Sequence, residues 1–132
     1  MERLKAFFKN DRFAAAAGIE LVSAAPGQAI ARMQLAPLHR NALGTTQGGA
    51  IFTLADFAFA VACNSHGTMA VAVNVSITFL KAAVAGLLTA EAREISRNSR
   101  LGSYTVTVTD ETGAVVALFQ GLAYRKAEAL PL

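Results

Sequence analysis

Residues 39–67 read HRNALGTTQGGAIFTLADFAFAVACNSHG and contain a long apolar helix with a single acid in it. From Gln47 to Ser65, apolar residues fall on every side of a helical wheel. A helix without a polar face is normally buried in the middle of a fold. Asp56 is the exception, because its neighbours three and four positions away cannot neutralise a carboxylate. The stretch therefore predicts a central buried helix whose one acid has its partner elsewhere.

The chain on both sides of this helix predicts β-strands. Beyond Gly67, apolar and polar residues alternate with a period of two, and turn sequences rich in Gly, Asn, Asp and Ser separate the alternating runs. The predicted strands are 19–24, 28–36, 70–80, 87–97, 101–109 and 114–125, with a helical segment within 2–16 and a loop at 36–46. We therefore expect an α+β fold in which six antiparallel strands wrap around the apolar helix.

Length and composition fit one domain. A chain of 132 residues can bury a core without disulfides or metal, so we predict a single domain over 1–132, with an N-terminal helical segment at 1–17 and a core at 18–126. Hydrophobic residues make up 54% and charged residues 16%, so either the core is unusually complete or another subunit covers part of the surface. The net charge of +3 and the scattered basic residues argue against nucleic acid as a partner.

The cysteine content and the N-terminus predict a cytoplasmic protein with no membrane partner. Cys63 is the only cysteine, which fits a reducing compartment. Charges interrupt the apolar residues of the N-terminus, unlike in a signal peptide. The apolar run from Ala50 to Cys63 is shorter than the roughly 20 residues that cross a bilayer. No metal site is expected, because His39 and His66 lie far apart without a carboxylate at ligand spacing.

Asp56 has two interpretations. An isolated buried carboxylate is unstable or takes up a proton, so Asp56 is either a structural acid bonded to backbone or hydroxyl groups, or a general base or nucleophile in a partly dry site. Gly48 and Gly49 favour catalysis, since free N–H groups at a helix N-terminus stabilise developing negative charge. Asn41 and Gln47 can hold a carbonyl or a water, although Asn41 also fits a turn and Gln47 a helix cap.

The motif resembles the signature of hotdog-fold acyl-CoA thioesterases of the phenylacetate-degradation (PaaI) type, approximately H-x-N-x-x-G-x-x-H-G-G-x-x-F-x-L-A-D-x-A-F-A-x-A-C-N-S. The matching positions are His39, Asn41, Gly44, Gly48, Gly49, Phe52, Leu54, Ala55, Asp56 and the run ACNS. The resemblance covers about residues 18–126 and implies a hotdog fold. It also implies hydrolysis of an acyl-CoA thioester, of the aryl, phenylacetyl or medium-chain type, to free acid and coenzyme A. Coenzyme A is then part of the substrate, and no cofactor is implied.

The resemblance further implies roles for individual residues. The Gly48 N–H would bind the thioester oxygen, Asn41 and Gln47 would position water or substrate, and Asp56 would act as base or nucleophile. It implies a homotetramer built from dimers, in which Asn41, Gln47 and Gly48 of one subunit face Asp56 of the other. The remaining residues of the implied acyl-CoA site are Gly49, Asn74, Phe79, Arg97, Asn98, Ser99, Arg100, Leu101, Gly102 and Arg125, with Lys81 as a further positive charge.

Two positions depart from the family pattern. Gln47 stands where the pattern has His, and Ala72 occupies the strand position at which sibling enzymes carry a helper Ser. Because of the departure at Gln47, an alternative function stays open. In that alternative, a protein of the same fold binds acyl-CoA or another small ligand without catalysis. Of the other candidates, His39 is expected to order its loop, His66 to cap the helix or lie on the surface, and Cys63 to be a packed thiol.

Overall fold

A computed structural model describes the whole chain, residues 1–132. The elements in chain order are α1 (Glu2–Phe8), α2 (Arg12–Ala16), β1 (Ile19–Ala25), β2 (Gln28–Gln34), a 3₁₀ turn (Pro37–His39), α3 (Gly48–Asn64), β3 (Thr68–Phe79), β4 (Leu87–Arg97), β5 (Leu101–Thr109) and β6 (Val115–Ala129). The strands form one antiparallel sheet in the order β1-β2-β4-β5-β6-β3. The predicted architecture of six antiparallel strands around one long helix is confirmed.

The helix α3 is the centre of the core and contacts all six strands. The ring centroid of Phe59 lies 5.6 Å from the ring centroids of both Tyr104 and Phe119. On β6, a Cβ placed on Gly121 would lie 2.7 Å from the Phe59 ring, so only glycine allows the strand to approach the helix this closely. No helix of the structure has the length and apolar character to span a membrane.

The strand boundaries differ from the predicted ones by more than one residue at three places. β2 ends at Gln34, because the chain turns into the 3₁₀ segment that begins at Pro37. β3 begins at Thr68 and β6 continues to Ala129, and these two residues pair with each other. β4 and β5 have the predicted bounds, and β5 shows a regular alternation of buried and partly exposed residues.

The N-terminal segment forms two short helices that pack on the core through Leu4 and Ala14. Asp11 caps α2 by accepting a hydrogen bond of 3.0 Å from the Ala14 N–H. His39 attaches the segment to the loop before α3. Its Nδ1 accepts from the Ala36 N–H at 3.0 Å, so its Nε2 donates to the Ala17 carbonyl at 2.6 Å. The predicted loop-ordering role of His39 is confirmed.

The predicted cap or surface role of His66 is wrong. Ser65 is the C-cap of α3, and the His66 side chain is 14% exposed, with its Nε2 2.8 Å from Glu94 Oε1. Tyr104 donates its hydroxyl to the same oxygen at 2.7 Å. Burial acts to raise the pKa of Glu94, but hydrogen bonds from Tyr104 and His66 outweigh it, so the net pKa is lowered. The cluster joins the end of α3 to β4 and β5.

Candidate active site

Asp56 lies in the middle of α3, on the side of the helix that the sheet leaves partly uncovered. Beyond the first turn, only Phe52, Thr53, Asp56 and Ala60 of this helix are not fully buried. Burial raises the pKa of the Asp56 carboxyl above its ordinary value of 3.8, and the negative charge of Asp11 raises it further. No hydrogen bond from the chain stabilises the charged form. Asp56 is therefore not a structural acid bonded to groups of its own chain.

The N-terminus of α3 presents one free backbone donor. Gln47 is the N-cap, and its Oε1 accepts from the Gly49 N–H at 2.9 Å. The Gly48 N–H donates to no acceptor in the chain, so it combines a free donor with the positive end of the helix dipole. A Cβ on Gly48 would lie 3.1 Å from Cζ of Phe79, so a larger residue here would require the Phe79 ring to shift.

An open groove of about 410 Å³ begins at this helix end. Gly48, Ile51 and Phe79 form part of its wall, and the remainder comes from Thr46 and the segment after β3. An extended ligand lying in the groove would therefore pass the free Gly48 donor. Of the predicted site residues, the structure brings Gly48 and Phe79 together here.

Asn41 orders the loop before α3. Its Oδ1 accepts from the N–H groups of Leu43 and Thr45 at 2.9 and 3.2 Å, and its Nδ2 donates to Thr45 Oγ1 at 3.0 Å. Within the chain, this is the turn role that the sequence allowed as the alternative to catalysis. A carboxamide nitrogen carries two hydrogens, so Asn41 keeps one donor for a ligand.

Thr46 is a groove residue that the sequence did not reveal. Its hydroxyl is buried and has no hydrogen-bond partner, although its backbone N–H donates to the Ala83 carbonyl at 2.8 Å. Buried polar groups without a partner are rare in folded proteins. No sequence pattern marks such a hydroxyl, because its burial depends on the segment that follows β3.

The substitution Thr46→Val is expected to raise the free energy of unfolding by about 1 kcal/mol, because valine has the same shape and removes an unpaired hydroxyl. Urea unfolding of the variant and of wild type checks this. Thr45→Val is the matched control and should be destabilising, since the Thr45 hydroxyl accepts from Asn41. A loss of stability in Thr46→Val would show that its hydroxyl is bonded.

Most of the residues predicted to contact coenzyme A lie at or beside the turn between β4 and β5. Asn98 Oδ1 accepts from the N–H groups of Arg100 and Leu101 at 2.9 and 2.8 Å. Arg125 of β6 reaches the same turn and donates from Nη1 to the Asn98 carbonyl at 2.7 Å. The residues Arg97, Ser99 and Arg100 are exposed, whereas Gly102 is buried in β5.

Lys81 is not a free charge beside this turn. Its Nζ lies 2.6 Å from Asp110 Oδ2, and hydrogen bonds from Lys81 and Thr112 hold the pKa of Asp110 below its usual range. Lys81 is thus paired within the chain, and its contribution to a phosphate site stays a prediction. The ion pair joins the segment after β3 to the turn between β5 and β6.

One chain does not bring the predicted catalytic groups together. Asp56 and Gly48 are eight positions apart on α3, which is about 12 Å along a helix axis at 1.5 Å per residue. A thioester carbon would need to lie about 3 Å from a reacting group and from its donor. Asn74 is likewise separate, exposed on β3 opposite Leu122 of β6.

Cys63 lies two helical turns beyond Asp56 and is buried. Burial raises the pKa of its thiol to about 12, which leaves it protonated at neutral pH. The prediction of a packed, unreactive thiol is confirmed. Asp56 is therefore the only acid or thiol of α3 that can supply a negative charge near neutral pH.

Comparison with known proteins identifies the family. The model of the thioesterase superfamily matches residues 43–117. The acyl-coenzyme A thioesterase PaaI of Escherichia coli K12 is 38% identical over 121 residues, which cover 91% of this chain and 86% of the relative. Human acyl-coenzyme A thioesterase 13 is 35% identical over 121 residues, covering 88% of this chain and 86% of the relative. The chain belongs to the thioesterase superfamily.

Solved structures agree with this assignment. The structure of the E. coli PaaI protein superposes with a TM-score of 0.91 at 37% identity, covering 94% of this chain and 91% of that one. A Streptococcus mutans protein solved bound to acetyl CoA superposes with a TM-score of 0.81 at 26% identity, covering 85% of this chain and 91% of that one. The hotdog fold predicted from the motif is confirmed.

Proposed function

We propose that the protein hydrolyses acyl-CoA thioesters to a free acid and coenzyme A. The observation that carries the proposal is the unpaired, partly desolvated Asp56 on the helix whose N-terminus offers the free Gly48 donor. A charged group without a partner in a partly dry site is typical of catalytic positions. Relatives named acyl-CoA thioesterases, and a relative bound to acetyl CoA, support the choice of substrate.

In the proposed reaction, the thioester oxygen accepts a hydrogen bond from the Gly48 N–H, which stabilises the negative charge that develops there. Asp56 either removes a proton from a water that attacks the carbonyl carbon, or attacks that carbon itself to form a mixed anhydride that water then hydrolyses. In both routes the C–S bond breaks, and coenzyme A leaves as a thiolate that takes up a proton. Incorporation of solvent ¹⁸O into Asp56 during a single turnover would identify the anhydride route.

We propose that each site is shared between two subunits. The distance of about 12 Å between Asp56 and Gly48 along one helix supports a site completed by a second copy. The outer edge of β3 is unpaired, and its side chains Val71, Val73 and Phe79 are 44%, 55% and 50% exposed. An unpaired edge with apolar side chains suits pairing with another strand. Two such dimers would form the proposed homotetramer.

The protein is therefore expected to be at least a dimer at micromolar concentration, because the site is incomplete in one chain. Light scattering coupled to size-exclusion chromatography measures this, and we expect two or four times the mass of the chain. A stable monomer that hydrolyses acyl-CoA at the full rate would contradict the shared site.

Coenzyme A is proposed to lie across the turn between β4 and β5. The guanidinium groups of Arg97, Arg100 and Arg125 suit its phosphates. The remaining proposed contacts are Gly49, Asn74, Phe79, Asn98, Ser99, Leu101 and Gly102. The hydrogen bond from Arg125 to Asn98 supports this placement, because it brings a strand cation beside the exposed cations of the turn.

Thiol release from a panel of acetyl-, hexanoyl-, octanoyl-, benzoyl- and phenylacetyl-CoA tests the proposal. We expect turnover, with a preference for phenylacetyl, aryl or medium-chain esters. The alternative is a protein that binds acyl-CoA without hydrolysing it, and Gln47 in place of the family histidine is the observation in its favour. Tight binding of every ester without release of thiol would support that alternative.

A further inference from the structure

A cluster of ionisable side chains lies beyond the end of α3 that is opposite to Gly48. Its centre is Glu94 Oε1, which accepts a hydrogen bond of 2.7 Å from the Tyr104 hydroxyl and lies 2.8 Å from His66 Nε2. The Nε of Arg97 lies 3.4 Å from the same oxygen. We call these four residues the Glu94 cluster. Because Arg97 is also one of the proposed contacts of coenzyme A, the cluster adjoins that ligand site.

A β-bulge in β4 brings Arg97 to this carboxylate. Side chains alternate along a regular strand, so residues three positions apart point to opposite faces of the sheet. The pairing of β4 with β5 shifts by one residue between Glu94 and Ser96, which places Glu94 and Arg97 on the same face. The Nη groups of Arg97 have no partner in the chain and the side chain is 38% exposed, so these groups remain available to a phosphate.

His66 can take up a proton without breaking its bond to Glu94. A carboxylate only accepts hydrogen bonds, so the Nε2 that faces Glu94 carries a hydrogen. The Nδ1 of the same ring has no partner in the chain, and the side chain is 14% exposed. Imidazole is the side chain that ordinarily changes charge between about pH 5 and pH 8.

We infer that Glu94 and His66 are positioning residues that act on coenzyme A through Arg97, so that the affinity for its pyrophosphate rises when His66 takes up a proton. With His66 neutral, the carboxylate of Glu94 and the guanidinium of Arg97 cancel, and the cluster has no net charge. With His66 protonated, one positive charge remains beside the proposed phosphate site. The inference rests on the proposed placement of coenzyme A at the turn between β4 and β5 and adds to it a dependence on pH.

The other ionisable groups around Glu94 keep their charge state over this range of pH. The net pKa of Glu94 is lowered, so it stays a carboxylate. Burial and the hydrogen bond to Glu94 raise the pKa of the Tyr104 hydroxyl, and burial raises that of the Cys63 thiol to about 12, so both stay neutral. The turn between β1 and β2 contributes the Gly27 carbonyl, which accepts from the Glu94 N–H at 2.8 Å, and no ionisable group.

The end of β6 also lies beside His66, because the residue that follows this strand donates its N–H to the Gly67 carbonyl at 2.8 Å. The charged residue closest to that end of β6 is Glu128, which is exposed and makes no ion pair with His66. Arg100 and Arg125, at the coenzyme A turn, stay charged at every pH considered. The Glu94 cluster therefore changes its charge through His66 alone.

Binding of dephospho-CoA tests the inference without requiring catalysis. This compound keeps the pyrophosphate but lacks the phosphate monoester of coenzyme A, whose own pKa of about 6 would obscure the titration of His66. It is titrated into the protein by calorimetry at pH 5.5 and at pH 8, at low ionic strength, where charge effects are least screened. Wild type should bind at least about threefold more tightly at the lower pH, the order expected for one charge acting over several ångströms near water.

Three variants isolate the groups. His66→Gln keeps an N–H donor towards Glu94 but cannot gain a charge, so its affinity should be nearly the same at both pH values. Glu94→Gln leaves Arg97 without its counter-charge and should bind about threefold more tightly than wild type at pH 8. Glu91→Gln is the matched control, because it makes the same change on the same strand in a carboxylate that pairs with Arg93, and it should behave as wild type.

Thermal unfolding establishes that each variant is folded. The inference is overturned if His66→Gln keeps the full pH dependence, or if wild type shows none. Arg97→Gln should weaken binding at both pH values. Unchanged affinity in that variant would overturn the inference and the placement of coenzyme A together, whereas thiol release by wild type would still support hydrolysis. The expected pH dependence without hydrolysis of any acyl-CoA would remove the proposed function and leave the inference standing.

Discussion

Replacing Asp56 by asparagine is expected to reduce thioester hydrolysis by at least about 10²-fold, the lower end of what a positioned general base contributes. Asparagine has nearly the same shape as aspartate but can neither accept a proton at neutral pH nor form a mixed anhydride. The rate constant for thiol release from the best ester of the panel measures the effect. The variant should keep the assembly state of wild type, because the substitution removes no hydrogen bond made within the chain.

The same variant should be more stable than wild type at neutral pH. The folded-state pKa of Asp56 is raised by burial and by Asp11. Folding therefore favours its protonated form, and the stability this provides is complete below the unfolded pKa and is lost as the pH rises through the folded pKa. The difference in melting temperature between Asp56→Asn and wild type should therefore grow from pH 4 to pH 7.5.

Two results would contradict this reading of Asp56. Full activity in Asp56→Asn would remove the residue from the reaction. A variant less stable than wild type at pH 7.5 would show that the carboxylate has a stabilising partner in the assembled protein. Asp110→Asn is a suitable control for the pH dependence, because the pKa of Asp110 is lowered rather than raised. The stability that this carboxylate provides is present above its unfolded pKa, so Asp110→Asn should be less stable than wild type by an amount that stays nearly constant from pH 4 to pH 7.5.

Replacing Gln47 by alanine is expected to lower kcat/KM by about 5- to 150-fold, which corresponds to about 1 to 3 kcal/mol for a hydrogen bond lost in a desolvated site. Two functions are proposed for this side chain, of which the structure shows the helix cap. Its Oε1 caps α3 by accepting from Gly49, and its Nε2 remains available to a substrate or a water. Steady-state kinetics on the best ester measure the sum of both functions.

Gln47→Glu separates them. A carboxylate retains the acceptor for the Gly49 N–H and suits a helix N-terminus, so thermal stability should be at least that of wild type. It has no N–H to donate and brings a negative charge to the place where the thioester oxygen becomes negative, so activity should fall at least as far as in the alanine variant.

Gln47→His is expected to keep or raise activity near neutral pH, since imidazole can donate from a similar place. If Gln47→Ala equals wild type in kcat/KM, the side chain is a helix cap and nothing more. An inactive Gln47→His would indicate a site rebuilt around the neutral amide, with a substrate different from the aromatic acyl groups of the family.

The fold could be predicted from the sequence because each element has a strong local signal. The helix α3 has no polar face, and β5 alternates strictly, so burial alone determines what each must pack against. The ends of β2, β3 and β6 were less predictable, because they depend on pairing between distant residues such as Thr68 and Ala129. The hydrogen bonds of Glu94 to His66 and Tyr104 were not predicted either, because they also join residues that are distant in the sequence.

The candidate site was predictable in its residue types and in the separation of Asp56 and Gly48, but not in the surroundings of these residues. The motif singles out both residues, and eight positions along a predicted helix correspond to about 12 Å. Nothing in the sequence shows that Asp11, an ordinary N-cap residue, lies close enough to influence Asp56. The buried hydroxyl of Thr46 also arises from segments that meet only in the folded chain.

Multiple-turnover release of free thiol from phenylacetyl-CoA by the purified protein, measured beside Asp56→Asn, is the most direct test of hydrolysis at this site. We expect wild type to release thiol and phenylacetate in equal amounts over many turnovers, and the variant to release both at least about 10²-fold more slowly. Tight binding of phenylacetyl-CoA by wild type with no thiol released from it or from any other ester, or equal release by both proteins, would contradict a thioesterase that depends on Asp56.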